Sequence, residues 1–426
     1  MLKFEEWKRM KILRTHQKSS KIIIRVLLLI FLLTIILALM IYANYQYTSN
    51  NPGGTDFLYR WLPTRLILFE GYQNPYSPEV EVQVEIVHHG HPRQGKETPG
   101  IFAYPFYIIP LYVPFSFISD FPTARAIWMS MLELIHLALV ILTLQLFKIK
   151  LNRITLILLL LFSIFFSFYT QPIIDGNPSP IVALLVLLCL ISISREKDWL
   201  AGMLLAFSTI KPQMVLLFFI LVWVWAFSQR RWKIILGSSF TLLILIGGSF
   251  AIQPSWFYEF LKDVLLYPKV ASPHSTITIL NQWMPDMAKW VSLFITACVI
   301  FILGKEWIKG YKKEFKPFFW VVCLTFMLSP ISGVSSAHSN FIATLPGFVL
   351  IIAALEMKAV RNPFLIRFFP LFLIALSWIL FYFARFKYRG DYLFFYIDFI
   401  ILPIVMTPVL FWLRYRSNIF QENNAI

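Results

Sequence analysis

Of the 426 residues, 58% are hydrophobic, 17% aromatic and only 14% charged; with a mean hydropathy of +0.69, the balance excludes a soluble domain of this length and marks a polytopic membrane protein. The net charge of +16 does not point to nucleic acid, because the Lys and Arg stand in short clusters between apolar runs rather than on one soluble face. Cys189, Cys298 and Cys323 fall inside apolar runs with no CxxC or Cys/His spacing, which argues against a disulfide framework or a zinc site.

The chain opens with a basic tail, residues 1–21, expected to be cytoplasmic. The apolar run that follows is too long for the core of a cleaved signal peptide and reads as a retained anchor. Apolar stretches predict about twelve transmembrane helices, near 22–44, 123–147, 154–170, 178–194, 199–210, 212–228, 233–252, 288–306, 317–331, 340–357, 364–383 and 392–413. They form one transmembrane domain over 22–416, followed by a cytoplasmic tail at 417–426. The piece 101–119 is also apolar, but five prolines between 99 and 122 break it, so it is expected to be re-entrant or interfacial. On this count one side of the membrane collects 26 of the 38 Lys and Arg, placing both termini in the cytoplasm of a cell whose cytoplasmic membrane holds the chain. Counting 101–119 as a span would throw every later basic cluster to the opposite side from the tail.

Four segments then face outward: the loop 45–122, the bend at 170–177, the loop 253–287 and the turn at 329–340. The unusual polar residues gather there. Asp56 follows the first span after Gly53 and Gly54, with Arg60 and Arg65 beyond it at near-helical spacing. A carboxylate near guanidinium groups suits the acceptance of a proton from a sugar hydroxyl while the arginines attract a phosphate. Asp56 in "TDFLYR" equally fits an ordinary helix N-cap. The run 199–210 gives roughly 18 Å of helix, too little to cross a bilayer. It ends at Lys211-Pro212, where a lysine must snorkel or meet an anion such as a lipid phosphate.

Asp175-Gly176-Asn177 reads as a turn or as part of a site, and His338 in "SPISGVSSAHSN" as structural or functional. Glu133 and His136 share one face of the second span. His88, His89 and His91 follow a strand-like alternation over 79–87, and no fixed ligand geometry accompanies them, so no metal is called for.

In order along the chain, Asp56, "GYQNPY" at 71–76, "YPFYIIPLYVPF" at 104–115, Trp128, Gly176-Asn177, Gly202, Lys211-Pro212 and "LSP" at 328–330 with His338 resemble glycosyltransferase family 87. The resemblance spans about 50 to 350. The family commonly has Gly-Gln where this chain has Gly176-Asn177, and a Trp usual between Ser-Pro and His is missing here. The resemblance implies a GT-C-like all-α bundle using a polyprenyl-phosphate-linked sugar, mannose by default, at the outer face. It implies Asp56 as the catalytic base, Lys211 with Arg60 or Arg65 at the donor phosphate, and inversion at the anomeric carbon without a cofactor or metal. Asn74, Tyr76, Asp175, Asn177 and His338 are the implied substrate-binding candidates, and the acceptor is a lipid, a glycan or a protein.

A lipid or glycolipid flippase is the alternative function, and a membrane scaffold a third. The outward gathering of polar residues favours an enzyme, since a transporter carries comparable groups on its inner path and often shows inverted halves, whereas no internal repeat occurs here.

Overall fold

The structure is a computed structural model that describes residues 2–95, 97–270, 276–332, 337–358, 363–383, 393–416 and 418–420. Its helices are α1 (Leu2–Asn50), α2 (Thr55–Phe69), α3 (Pro78–His89), α4 (Ile109–Ser116), α5 (Phe121–Leu146), α6 (Arg153–Phe165), α7 (Ser167–Asp175), α8 (Ser179–Ser194) and α9 (Asp198–Ser208). They continue as α10 (Pro212–Ser228), α11 (Trp232–Ile252), α12 (Trp256–Val270), α13 (Thr276–Trp283), α14 (Ala288–Gly310), α15 (Phe315–Leu328), α16 (Leu345–Lys358), α17 (Pro363–Tyr382) and α18 (Leu393–Arg416). Short 3-10 turns cover Phe106–Ile108, Ser329–Ile331 and His338–Thr344, and no strand occurs among the described residues.

Each of the twelve apolar runs read from the sequence contains helix among the described residues, but five helical stretches there are long and apolar enough to cross a membrane alone: Ile24–Asn50, Phe121–Leu146, Trp232–Ile252, Ala288–Gly310 and His338–Met357. The run expected at 154–170 is bent by 52° between α6 and α7 and makes at most a sixth, broken span. α8, α9 and α10 are shorter apolar helices of 16, 11 and 17 residues, below the roughly 20 that a full crossing needs. The Pro-broken piece folds as Phe106–Ser116, too short to span. The basic tail is no separate element, since α1 runs unbroken from Leu2 into the first apolar run.

The bundle is built from the inside out around the His338–Met357 span, 83% of whose apolar window is buried, while none of the α1 window is. α5 joins the two, packing on α1 along one side and on α8 and α16 along the other. Asn44 of α1 donates to Ser130 Oγ (2.9 Å) and Glu133 Oε2 (3.1 Å) of α5. Glu133 thus ties two helices together. His136 does not pair with it; its Nδ1 donates to the Leu132 carbonyl one turn back.

Gly202 serves packing as well. A side chain there would collide with the Ile234 carbonyl, and Gly237 lies opposite, so α9 and α11 approach backbone to backbone as small residues allow in membranes. The alternation "EVEVQVEIV" is helical and not a strand. Ser77 accepts from Val80 N, Pro78 starts the helix, and Val80 and Val84, one turn apart, take the buried face. Capping and the i, i+4 pair outweigh the period-two pattern.

Candidate active site

α2 begins at a Gly54 in left-handed conformation that makes no side-chain cap. Asp56 is therefore free of the N-cap role its position allowed. Its side chain is 30% exposed, and Oδ1 accepts from Arg60 Nη1 at 3.1 Å, one turn on. Arg60 also donates to the Asp56 carbonyl (2.8 Å) and covers the Tyr104 ring at 4.1 Å. Arg65 lies nine residues past Asp56, on the opposite side of α2. It donates to the Ser116 carbonyl and pairs with Glu70. The structure thus separates Arg65 from Asp56.

Asn177 supplies the second partner of Asp56. Gly176 ends α7 with φ +69°, and a side chain there would run into Phe57 Cβ, so the turn lies directly against the start of α2. Asn177 Nδ2 donates to Asp56 Oδ2 at 2.7 Å. Asn177 Oδ1 accepts from the backbone N–H of Ser179 (3.0 Å), from Ser179 Oγ (2.6 Å) and from Lys211 Nζ (2.8 Å). These donors fix the amide's orientation, since a flip would set its NH2 group against the lysine and the Ser179 N–H.

Lys211 stands in the break between α9 and α10, which Pro212 enforces by starting a new helix. It is 2% exposed. Besides Asn177 it donates to Ser179 Oγ (2.5 Å) and Ser339 Oγ (3.2 Å). Ser179 Oγ in turn reaches Asn340 Oδ1 at 3.3 Å, which brings the 3-10 turn at His338–Thr344 into the same network. His338 itself is buried and stacks on Phe168, next in sequence to Ser339 of the network but packed on α7.

An aromatic layer supports these groups. Trp128 stacks on Phe57 (5.2 Å between centroids) and on Tyr112 (4.8 Å), and its Nε1 donates to the Gly176 carbonyl at 2.9 Å. Arg125, buried in α5, donates to the carbonyls of Asn51 (3.0 Å) and Ile174 (2.9 Å), holding the chain just before Asp56 to the chain just before Asn177. Tyr107 Oη reaches Thr209 Oγ1 at 3.1 Å and so anchors the Pro-rich segment near Lys211.

Asn74 and Tyr76 border the network through Tyr104, whose ring Arg60 covers. Asn74 Nδ2 donates to both carboxylate oxygens of Glu259 on α12 (3.0 and 2.9 Å), and Tyr76 Oη donates to the Tyr104 carbonyl. Burial, with Asp263 and Glu259 nearby, raises the Tyr76 hydroxyl above the ordinary phenol value. Among the three histidines, His88 Nδ1 meets Tyr59 Oη at 2.7 Å and His89 Nε2 meets the Thr98 carbonyl.

Sequence reading missed Ser179, Ser339 and Arg125. Ser179 was signalled by its place two residues after an Asn, the spacing of a side-chain-to-backbone turn. Arg125 was signalled by being a cation within a long apolar helix.

A carboxylate held on both oxygens, with Arg60 beside it and Lys211 one amide away, can take a proton from a hydroxyl and receive an anion nearby. A family model, that of glycosyltransferase family 87, matches residues 102–330, more than half of the chain. The chain belongs to glycosyltransferase family 87. It is thus a membrane glycosyltransferase, with a sugar donor and an acceptor as its substrates. Asn177, Ser179 and Lys211 of this family 87 chain fall inside the matched stretch, and Asp56, Arg60 and Ser339 outside it. No curated protein and no solved structure matches the chain.

Proposed function

We propose that the protein transfers a sugar, mannose by default, from a polyprenyl-phosphate donor to a lipid, glycan or protein acceptor at the outer face of the cytoplasmic membrane. The observation that carries this reading is the Asp56 carboxylate, part exposed and gripped by Arg60 and Asn177 with Lys211 behind. Arg60 at the carboxylate and Lys211 one amide behind it leave the network with more positive than negative charge, so a substrate anion is electrostatically favoured.

In the reaction, Asp56 takes the proton of the acceptor hydroxyl as its oxygen bonds to the anomeric carbon. The bond from that carbon to the phosphate oxygen breaks on the opposite side, its electron pair staying on the polyprenyl phosphate, so the configuration inverts. The leaving group is already a stable anion, so one carboxylate suffices where a glycosidase needs two. Arg60, at the carboxylate, is the nearest cation for the charge that grows on the phosphate. The residues call for no metal.

The test is transfer from radiolabelled polyprenyl-phosphate-mannose in membranes holding the full-length protein at matched expression. Asp56→Asn is expected to lower transfer about 10²–10⁴-fold, the usual worth of a positioned base. Full transfer by Asp56→Asn would overturn the assignment, and transbilayer movement of the donor without transfer would establish a flippase instead. For sidedness, Gln94→Cys places a thiol on an exposed residue expected to react with an impermeant reagent added outside. Reaction only after lysis would reverse the orientation.

A further inference from the structure

The family resemblance implies Lys211 at the donor phosphate, but its surroundings give it another task. An ammonium has three N–H bonds and no acceptor. Around Lys211 Nζ stand three oxygens of the protein: Asn177 Oδ1 at 2.8 Å, Ser179 Oγ at 2.5 Å and Ser339 Oγ at 3.2 Å. With the side chain 2% exposed, no N–H is left to point at a substrate.

What the lysine does reach is one end of an amide whose other end holds Asp56. The Asn177 carbonyl faces the cation and its NH2 faces the carboxylate at 2.7 Å, so the amide dipole lies head to tail between opposite charges. Turned the other way, the amide would leave Asp56 Oδ2 facing a carbonyl oxygen and Lys211 facing an NH2 group. Both contacts would be repulsive.

We propose that Lys211 is a positioning residue, which locks the Asn177 amide so that its NH2 group holds Asp56 in the geometry of a base, and that it makes no contact with the donor phosphate. This rests on Asp56 being the base. The difference from a phosphate ligand is measurable, because a residue acting through Asn177 affects turnover only while Asn177 is present, and it leaves phosphate affinity alone.

The experiment uses the full-length protein purified in detergent, with two readouts: transfer of label from polyprenyl-phosphate-mannose to acceptors in an added membrane extract, read as release of free polyprenyl phosphate, and equilibrium binding of a fluorescent polyprenyl monophosphate. Lys211→Met and Asn177→Ala are made singly and together, with Lys211→Gln, whose amide NH2 can still donate to Asn177. Lys211→Met is expected to lower kcat about 100-fold, the effect of a small misplacement at a reacting group, with phosphate Kd changed by no more than about twofold. In the Asn177→Ala background the same change is expected to cost no further than about twofold. Lys211→Gln recovers part of the loss. Should Lys211→Met not fold, Lys211→Gln carries the test by the same split between kcat and Kd. A tenfold weaker Kd in either lysine variant, or effects that multiply in the double variant, would overturn the proposal. Asp56→Asn is run alongside: if it transfers normally, the reading of the base fails, whereas its inactivity together with weakened phosphate binding by the lysine variants sinks the positioning role alone.

Discussion

Asn177 Nδ2 and Asp56 Oδ2 meet at 2.7 Å, although 121 residues separate them in the chain. Four neighbours support that contact. Arg125 clamps the two approaching segments, Trp128 holds the Gly176 carbonyl, and Lys211 with Ser179 turns the amide. Asn177→Ala removes the donor to Asp56 and an acceptor of a buried cation at once. It is expected to lower transfer by about 10- to 100-fold, and stability by about 1–3 kcal/mol through the lysine left short of an acceptor. Transfer kinetics and thermal unfolding of the purified variant check the two effects separately.

Gly176 makes the contact possible. Its φ of +69° disfavours any side chain, and a methyl group would press on Phe57 Cβ. Gly176→Ala is expected to cost more than about 1 kcal/mol from backbone strain alone, and to withdraw Asn177 from Asp56. A lower thermal midpoint with reduced transfer is the expected result. The same substitution at Gly71, which has φ +80° but nothing within 4 Å, is expected to lower the midpoint and leave transfer in place.

Long apolar runs announced the helices because burial of backbone in lipid leaves little choice but a helix. They did not announce length or bend. The break at Lys211-Pro212 was legible, and α9 and α10 keep it, whereas the run 154–170 gave no sign that α6 and α7 meet at 52° where the Phe166 backbone turns extended. The alternation over 79–87 misled because period two in a short segment yields to a good cap, here Ser77 with Pro78. At the site, Asp56, Asn177 and Lys211 each stood out as polar residues in an apolar chain. Their order of contact did not, because hydrogen bonds across 121 and 34 residues leave no periodic trace. The expectation for Arg65 shows the limit most simply: near-helical spacing was read correctly, yet nine residues on a helix is half a turn away from alignment.

The seam between α3 and α12 is expected to respond to pH. Asp263 on α12 is pushed up from 3.8 to about 7, first by burial, then by Glu81 across the seam, with Lys262 acting against the rise and Glu259 adding to it. A carboxyl whose value is raised in the folded protein binds its proton more tightly there than in the unfolded chain. Its contribution is therefore fully present below 3.8 and is lost as pH rises through about 7. The thermal midpoint is expected to fall as pH is raised through about 7, and the protection of α12 amides, taken relative to their intrinsic exchange rate at each pH, to fall with it. Asp263→Asn, which carries no charge at any pH, is expected to flatten both profiles. An unchanged profile in that variant would place the titration elsewhere.

Tyr112 offers a test of how the aromatic layer is held together. Its ring is fully buried between Trp128, at 4.8 Å, and Phe57, at 5.9 Å, while its hydroxyl finds no partner among the described residues. The ring and the hydroxyl thus act in opposite directions on stability: the stack is favourable, and an unmatched buried hydroxyl is a desolvation cost. Tyr112→Phe keeps the first and removes the second, so the thermal midpoint is expected to stay level or rise, by the equivalent of up to about 1 kcal/mol. Tyr112→Ala removes the ring and is expected to cost about 3–5 kcal/mol, the usual loss for a large buried aromatic. Because Trp128 also holds the Gly176 carbonyl, the alanine variant is expected to lose transfer along with stability. A Tyr112→Phe variant as unstable as Tyr112→Ala would show instead that the hydroxyl is bonded in the folded protein and that the layer depends on it.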